Sequence, residues 1–112
     1  MNQKAQEKIN QLQLLEMNLQ NVLTKKQALQ SEEMEAINAK EELTKAPGSV
    51  YKVIGPVMIT TTKEDLEKEI GNKLEVNGIK LKSLEKQETS VQEKLEALQK
   101  EVMELLEQEE PK

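Results

Sequence analysis

"VYKVIGPVMITTT", residues 50–62, is the one stretch of this 112-residue chain that does not read as helix. It is rich in β-branched Val, Ile and Thr, the residues that fit a pleated surface. Gly55-Pro56 divides it into two runs, 50–54 and 57–61. Gly at the first central position of a two-residue turn suits type II′, and the fixed φ of Pro is acceptable at the second. The stretch therefore predicts a β-hairpin. Just upstream, Ala46-Pro47-Gly48 ends whatever helix precedes it, because Pro lacks the N–H that would continue the ladder.

Working outward, both flanks carry heptads. Before the hairpin, Ala5, Leu12 and Leu19 form one seven-residue row and Leu15, Val22, Leu29, Ala36 and Leu43 form another. Interleaved, the two rows give the a/d spacing by which one helix meets a partner. The a row turns polar at Lys26, Glu33 and Lys40, so the seam thins toward the hairpin. After the hairpin the a row is Glu67, Leu74, Leu81, Glu88, Leu95 and Val102, and the d row is Ile70, Asn77, Leu84, Val91, Leu98 and Leu105. From Leu81 to Leu105 only Glu88 breaks the pattern. Thr62 is the expected N-cap, with Glu64, Asp65 and Glu67 in or near the first turn. Gly71 and Gly78 share one heptad position beside the seam. Each costs about 0.8–1 kcal/mol relative to Ala, and they mark either a tolerated weak turn or a point of flexibility or close backbone approach. At 1.5 Å per residue, two segments of roughly 45 residues reach about 65–70 Å each. A core of this chain length does not need helices that long; a helix pair does.

The expected organisation is one domain over residues 1–112: an N-terminal helix over 1–45, a hairpin region over 46–62 and a C-terminal helix over 63–110. The fold class is mainly α, a long antiparallel two-helix coiled coil with one central β-hairpin. Because the hairpin reverses the chain, both termini lie at the same end of the helix pair.

Composition narrows the function classes. There is no His, Cys, Trp, Phe or Arg, and Tyr51 is the single aromatic residue. The commonest metal ligands and nucleophile–base pairings are thus missing. Charged residues make up 33% of the chain and aromatic ones 1%, which leaves little material for an apolar-walled pocket. Neither catalysis, a cofactor nor a metal is expected. The net charge of −5 is uneven: residues 1–62 hold seven Lys against seven Glu, and residues 63–112 hold nine Lys against fourteen acids. Without Arg or a basic block, nucleic acid is not an expected partner. The N-terminal "MNQKAQEKINQLQLL" lacks a signal-peptide core, and no run approaches the ~18 apolar residues of a membrane span. The expectation is a soluble cytoplasmic protein that does not engage membranes.

The hairpin is apolar on both sides. Tyr51 and Val53 share one face of its first strand, and Val50 and Ile54 share the other; on the second strand Val57 and Ile59 oppose Met58. An isolated hairpin is marginal in water, and its edges carry unpaired N–H and C=O groups. Two arrangements answer this. The hairpin folds onto the base of its own helices, or hairpins of several chains pair edge to edge and close into a barrel. Two helices offer little surface to cover a two-sided hairpin, which favours the barrel. Val50, Tyr51, Val53, Ile54, Val57, Met58 and Ile59 are then the oligomerisation residues.

Helix, single hairpin and helix, with "VYKVIGPVMI" at 50–59 and "LKSLEKQETSVQEKLEALQ" at 81–99, resemble the prefoldin family. The single hairpin is similar to its β-class subunits, since the α class carries two, and the short chain fits the archaeal type. The resemblance implies an ATP-independent chaperone, a heterohexamer of two α-class and four β-class subunits. Their hairpins would form a β-barrel from which coiled-coil arms project. Nonnative client proteins would be held at the arm tips and passed to a group II chaperonin. "IGNKLEVNGIK" at 70–80 departs from the family in its two glycines, as does the Pro of "IGPVM".

Near the termini several apolar side chains fall beside or off the a/d seam: Met1, Ile9, Leu14, Met17, Met103 and Leu106. They lie roughly opposite one another when the helices pair antiparallel, and flexible Met beside Leu suits promiscuous apolar contact. With the tip-binding mode that the resemblance implies, they are the expected client-binding residues. The alternative is a coiled-coil structural or adaptor module that binds one defined protein partner. That reading accounts for the heptads but not for the two-sided hairpin. The acidic "ELLEQEEPK" at the C-terminus offers either an electrostatic guide or a solvated tail.

Overall fold

The computed structural model describes residues 2–109. Four elements follow in order: helix α1 (Gln3–Lys45), strand β1 (Ser49–Ile54), strand β2 (Val57–Thr62) and helix α2 (Lys63–Glu109). Each strand is one residue longer than the sequence suggests, so Thr62 both ends β2 and starts α2. Its Oγ1 accepts a hydrogen bond from the Asp65 N–H at 3.1 Å, satisfying one orphan donor of the first turn, where Glu64 and Asp65 also favour the helix dipole. At the start of α1 the same task falls to Asn2, whose Oδ1 accepts from the Ala5 N–H at 2.8 Å.

The end of α1 is closed by three contacts. Ala46 N–H donates to the Leu43 carbonyl at 3.2 Å, tightening the last turn ahead of Pro47. Thr44 Oγ1 donates back to the Glu41 carbonyl at 2.6 Å. Lys63 Nζ, one residue into α2, donates to the Thr44 carbonyl at 3.3 Å. A cation on the carbonyl end of a helix is favourable for both hydrogen bonding and dipole.

The chain divides into two compact units. One joins α1 up to Lys26 with α2 from Ser83 onward; the other is Gln27–Lys82 and contains the hairpin. In the first unit the helices run antiparallel, as cross-helix ion pairs show: Lys8 meets Glu101 at 2.7 Å and Lys26 meets Glu88 at 3.0 Å. Its buried side chains are Ala5, Val22, Leu84, Leu95, Leu98 and Val102, all at a or d positions. Leu12, Leu15, Leu19, Val91 and Leu105 are half-buried along the same seam. Lys26 and Glu88, both charged at a positions, turn out to be each other's partners. Their side chains keep only 23% and 18% exposure, so the seam charges are compensated where they are partly desolvated.

The second unit has a sparser interior. Ala36, Leu43 and Val50 are its buried apolar residues, and Asn77 is buried at 4% exposure with Nδ2 unpartnered. Leu29, Leu66, Ile70, Leu74 and Leu81 are half-buried. Helix α2 runs without a break through Gly71 and Gly78. A Cβ added at either glycine would meet nothing within 4 Å, so close approach by this chain's own backbone is not why glycine stands there.

Candidate functional site: the hairpin and the helix ends

Strands β1 and β2 pair antiparallel, with Val50 opposite Thr61, Tyr51 opposite Thr60, Lys52 opposite Ile59, Val53 opposite Met58 and Ile54 opposite Val57. At the tip Gly55 has φ +57°, and among the described residues none other than glycine has positive φ. Positive φ at the first central residue and negative φ at Pro56 are the signs of a type II′ turn, whose twist suits the flanking strands.

The register sorts the hairpin into two faces. Tyr51, Val53, Met58 and Thr60 share one, and every one of them is exposed. On the other, Val50 is buried and Lys52 and Thr61 are half-buried, but Ile54, Val57 and Ile59 are exposed. The helices therefore cover only the base of one face. Lys52 Nζ, paired with the Glu69 carboxylate of α2, fixes that base. Of the seven sequence-predicted hairpin residues, Val50 points into its own unit. The other six keep between 45% and 67% exposure. Among the described residues no further strand pairs with either outer edge of the two-stranded sheet, which leaves a template for further pairing.

The residues expected at the helix ends lie in the other unit. Leu14, Met17 and Met103 are exposed, at 61–63%. Ile9 and Leu106 are half-buried, and Met1 lies outside the described residues. The Lys8–Glu101 ion pair sets the level of the two helices. Met103 is close to that level, whereas Leu14 and Met17 lie roughly 9 and 14 Å farther along α1 at 1.5 Å per residue. Between Lys4, Lys8, Glu101, Glu104, Leu105 and Gln108 the helices leave a small polar groove of about 220 Å³.

Sequence reasoning passed over four exposed apolar residues, Met34, Ile37, Val76 and Ile79, all in the hairpin-bearing unit. The signal was available: like Leu14 and Met17, none of them occupies an a or d position. Among the described residues no helix is long and apolar enough to cross a membrane.

Comparison with known proteins meets this geometry. A family model described as "Prefoldin subunit" matches residues 6–109. Prefoldin subunit beta of Sulfurisphaera tokodaii is 34% identical over 105 residues, covering 92% of this chain and 84% of the relative. That of Methanospirillum hungatei is 36% identical over 101 residues, covering 88% and 84%. The crystal structure of the prefoldin beta subunit from Thermococcus strain KS-1 superposes with a TM-score of 0.85 at 32% identity, covering 98% of this chain and 96% of that one. With its paired long helices and single hairpin, the chain belongs to the prefoldin family of chaperone subunits, as a member of the β class.

Proposed function

We propose that this chain is the β-class subunit of a cytoplasmic heterohexamer, two α-class and four β-class subunits, that captures nonnative proteins without ATP and delivers them to a group II chaperonin. The observation that carries the reading is the hairpin: six apolar side chains stay 45–67% exposed on a two-stranded sheet with two free edges. Burying such side chains contributes about 1.5–3 kcal/mol each, and edge pairing between copies satisfies the backbone groups that water would otherwise hold. Closing hairpins of several chains into a barrel answers both demands. Client capture falls to Leu14, Met17, Met103 and Leu106, with Ile9 contributing; Met1, the remaining candidate from the sequence, lies outside the described residues. Several weak apolar ends around one client act by avidity rather than through a deep pocket.

Mixing the chain with an α-class subunit, measuring mass by light scattering and following client aggregation without nucleotide tests this directly. The expected result is a six-subunit complex that suppresses aggregation. A stable dimer that binds one defined protein would establish the adaptor reading instead. Replacing Leu14, Met17, Met103 and Leu106 together by Ser should leave the mass unchanged and weaken suppression. Full suppression by that variant would move client capture elsewhere.

A further inference from the structure

In the unit that joins the first part of α1 to the last part of α2, the helices leave an open groove of about 540 Å³. Lys25, Lys86 and Lys94 line it together with neutral polar side chains and two valines, Val22 and Val91. No acidic residue lines it, although the chain carries 21 acids against 16 bases. The three lysines are exposed, and among the described residues none of them has an ion pair or hydrogen bond.

The sequence explains why these ammonium groups stay uncompensated. A helical Lys is neutralised from three or four residues away. Those positions hold Asn21, Val22, Ala28 and Leu29 around Lys25. They hold Lys82, Ser83, Thr89 and Ser90 around Lys86, and Ser90, Val91, Ala97 and Leu98 around Lys94. Lys100, by contrast, has Glu96 and Glu104 at those spacings. The acid nearest in sequence to the Lys86 side of the groove that points to the seam, Glu88, is held by Lys26 at 3.0 Å.

We propose that this groove is a docking site for an acidic polypeptide segment in extended conformation. Lys86 and Lys94 are eight residues apart on α2, about 12 Å at 1.5 Å per residue. In an extended chain, acids four residues apart face the same way about 13 Å apart. A segment with that spacing, laid along α2, sets one carboxylate at each lysine, with Lys25 across the groove available to a third. The residue midway between the acids meets Val22 and Val91, and Ser90 offers a hydroxyl between the two cations. Lysine, a mobile point charge, suits loose recognition of carboxylates in varied sequence better than a fixed bidentate fit. A single-stranded nucleic acid would want aromatic stacking platforms, which the groove lacks. For a client-holding subunit this adds a contact for acidic stretches that the apolar helix ends do not supply. That use rests on the client-capture reading above, whereas the binding itself does not.

The probe is a fluorescein-labelled peptide with the core Glu-Thr-Val-Thr-Glu, titrated with the full chain and read by anisotropy. Binding should fall with added salt, as exposed charge pairs do. The matching Gln-core peptide should bind about tenfold more weakly, and so should the Glu-core peptide to a K25Q/K86Q/K94Q variant of unchanged helicity. Charge reversal with Lys86→Glu and Lys94→Glu should shift preference to a Lys-core peptide. The serine variant of the helix ends should keep peptide binding whatever happens to its client capture. Equal affinity for the Gln-core peptide, unchanged binding by the triple variant, loss of binding in the serine variant, or stronger binding of a single-stranded oligonucleotide would each overturn the proposal.

Discussion

The two units spend their apolar residues in opposite ways. Among the described residues, the unit of the chain's two outer segments buries six apolar side chains and exposes three large ones. The hairpin-bearing unit buries three and exposes ten. Both are cut from the same two helices, and both follow the same heptads. The difference is that one seam is closed by its own chain while the other unit carries apolar surface that its own chain does not reach. Exposed apolar surface of this kind is the basis of the assembly role proposed for the hairpin. Self-sufficiency in one unit and dependence in the other is what an assembly subunit requires.

The sharpest way to break the contrast is to make the dependent surface polar. Val53→Asp with Ile59→Asp places one carboxylate on each face of the hairpin, and a barrel would have to bury both without partners. Desolvating unpaired carboxylates costs several kcal/mol each, so assembly with an α-class subunit should be abolished at micromolar concentration. Sizing should then show monomers or dimers. The outer unit should feel nothing: hydrogen exchange from Leu84 to Val102 should match the wild-type isolated chain. A full-mass complex from this variant would mean that the hairpin is not the element that joins subunits.

Each unit also carries polar residues in its seam, and two cases differ in whether a partner is present. Asn77 is buried at 4% exposure with Nδ2 unpaired, and a lost partner of that kind costs about 1–3 kcal/mol. Asn77→Leu should therefore stabilise the chain by about 1–2 kcal/mol, read as a higher thermal midpoint. A polar residue in a seam also selects register, so the variant's helix ends should fray or slip more in spin-label distance measurements. In the outer unit Lys26 and Glu88 compensate each other. Glu88→Gln should cost about 1 kcal/mol, whereas replacing both by Leu should be neutral or stabilising. Equal losses from the single and double variants would show that the pair contributes packing rather than charge compensation.

How far the sequence reaches is clear from these residues. The hairpin was legible because Gly-Pro between β-branched runs leaves few alternatives, and the positive φ of Gly55 follows from turn geometry. The seam was legible because a/d periodicity is a property of one helix at a time. What one helix cannot disclose is its level against the other. Lys26 and Glu88 therefore read as two separate flaws. Alternation likewise separates the two faces of β1 without saying that the helices cover Val50 and stop short of Ile54. The uncompensated lysines are an intermediate case. Their missing helical partners are visible in sequence, but that Lys25 and Lys86 share a groove is not.

The smallest expected effect concerns the glycines of α2, and it separates a tolerated defect from a functional one. A Cβ at Gly71 or Gly78 meets nothing within 4 Å, and both positions are helical, so alanine is sterically free at each. Gly→Ala in a helix interior should then stabilise by about 0.5–1 kcal/mol per site, chiefly by restricting the unfolded chain. Both glycines belong to the hairpin-bearing unit, on either side of the buried Asn77. If they are merely tolerated, the double alanine variant should melt higher and suppress client aggregation as well as the natural chain. If the unit needs a yielding turn to fit its neighbours or its client, the same variant should melt higher yet suppress aggregation less. Measuring both quantities on one protein decides between the two, because only a functional need for flexibility makes stability and activity move in opposite directions.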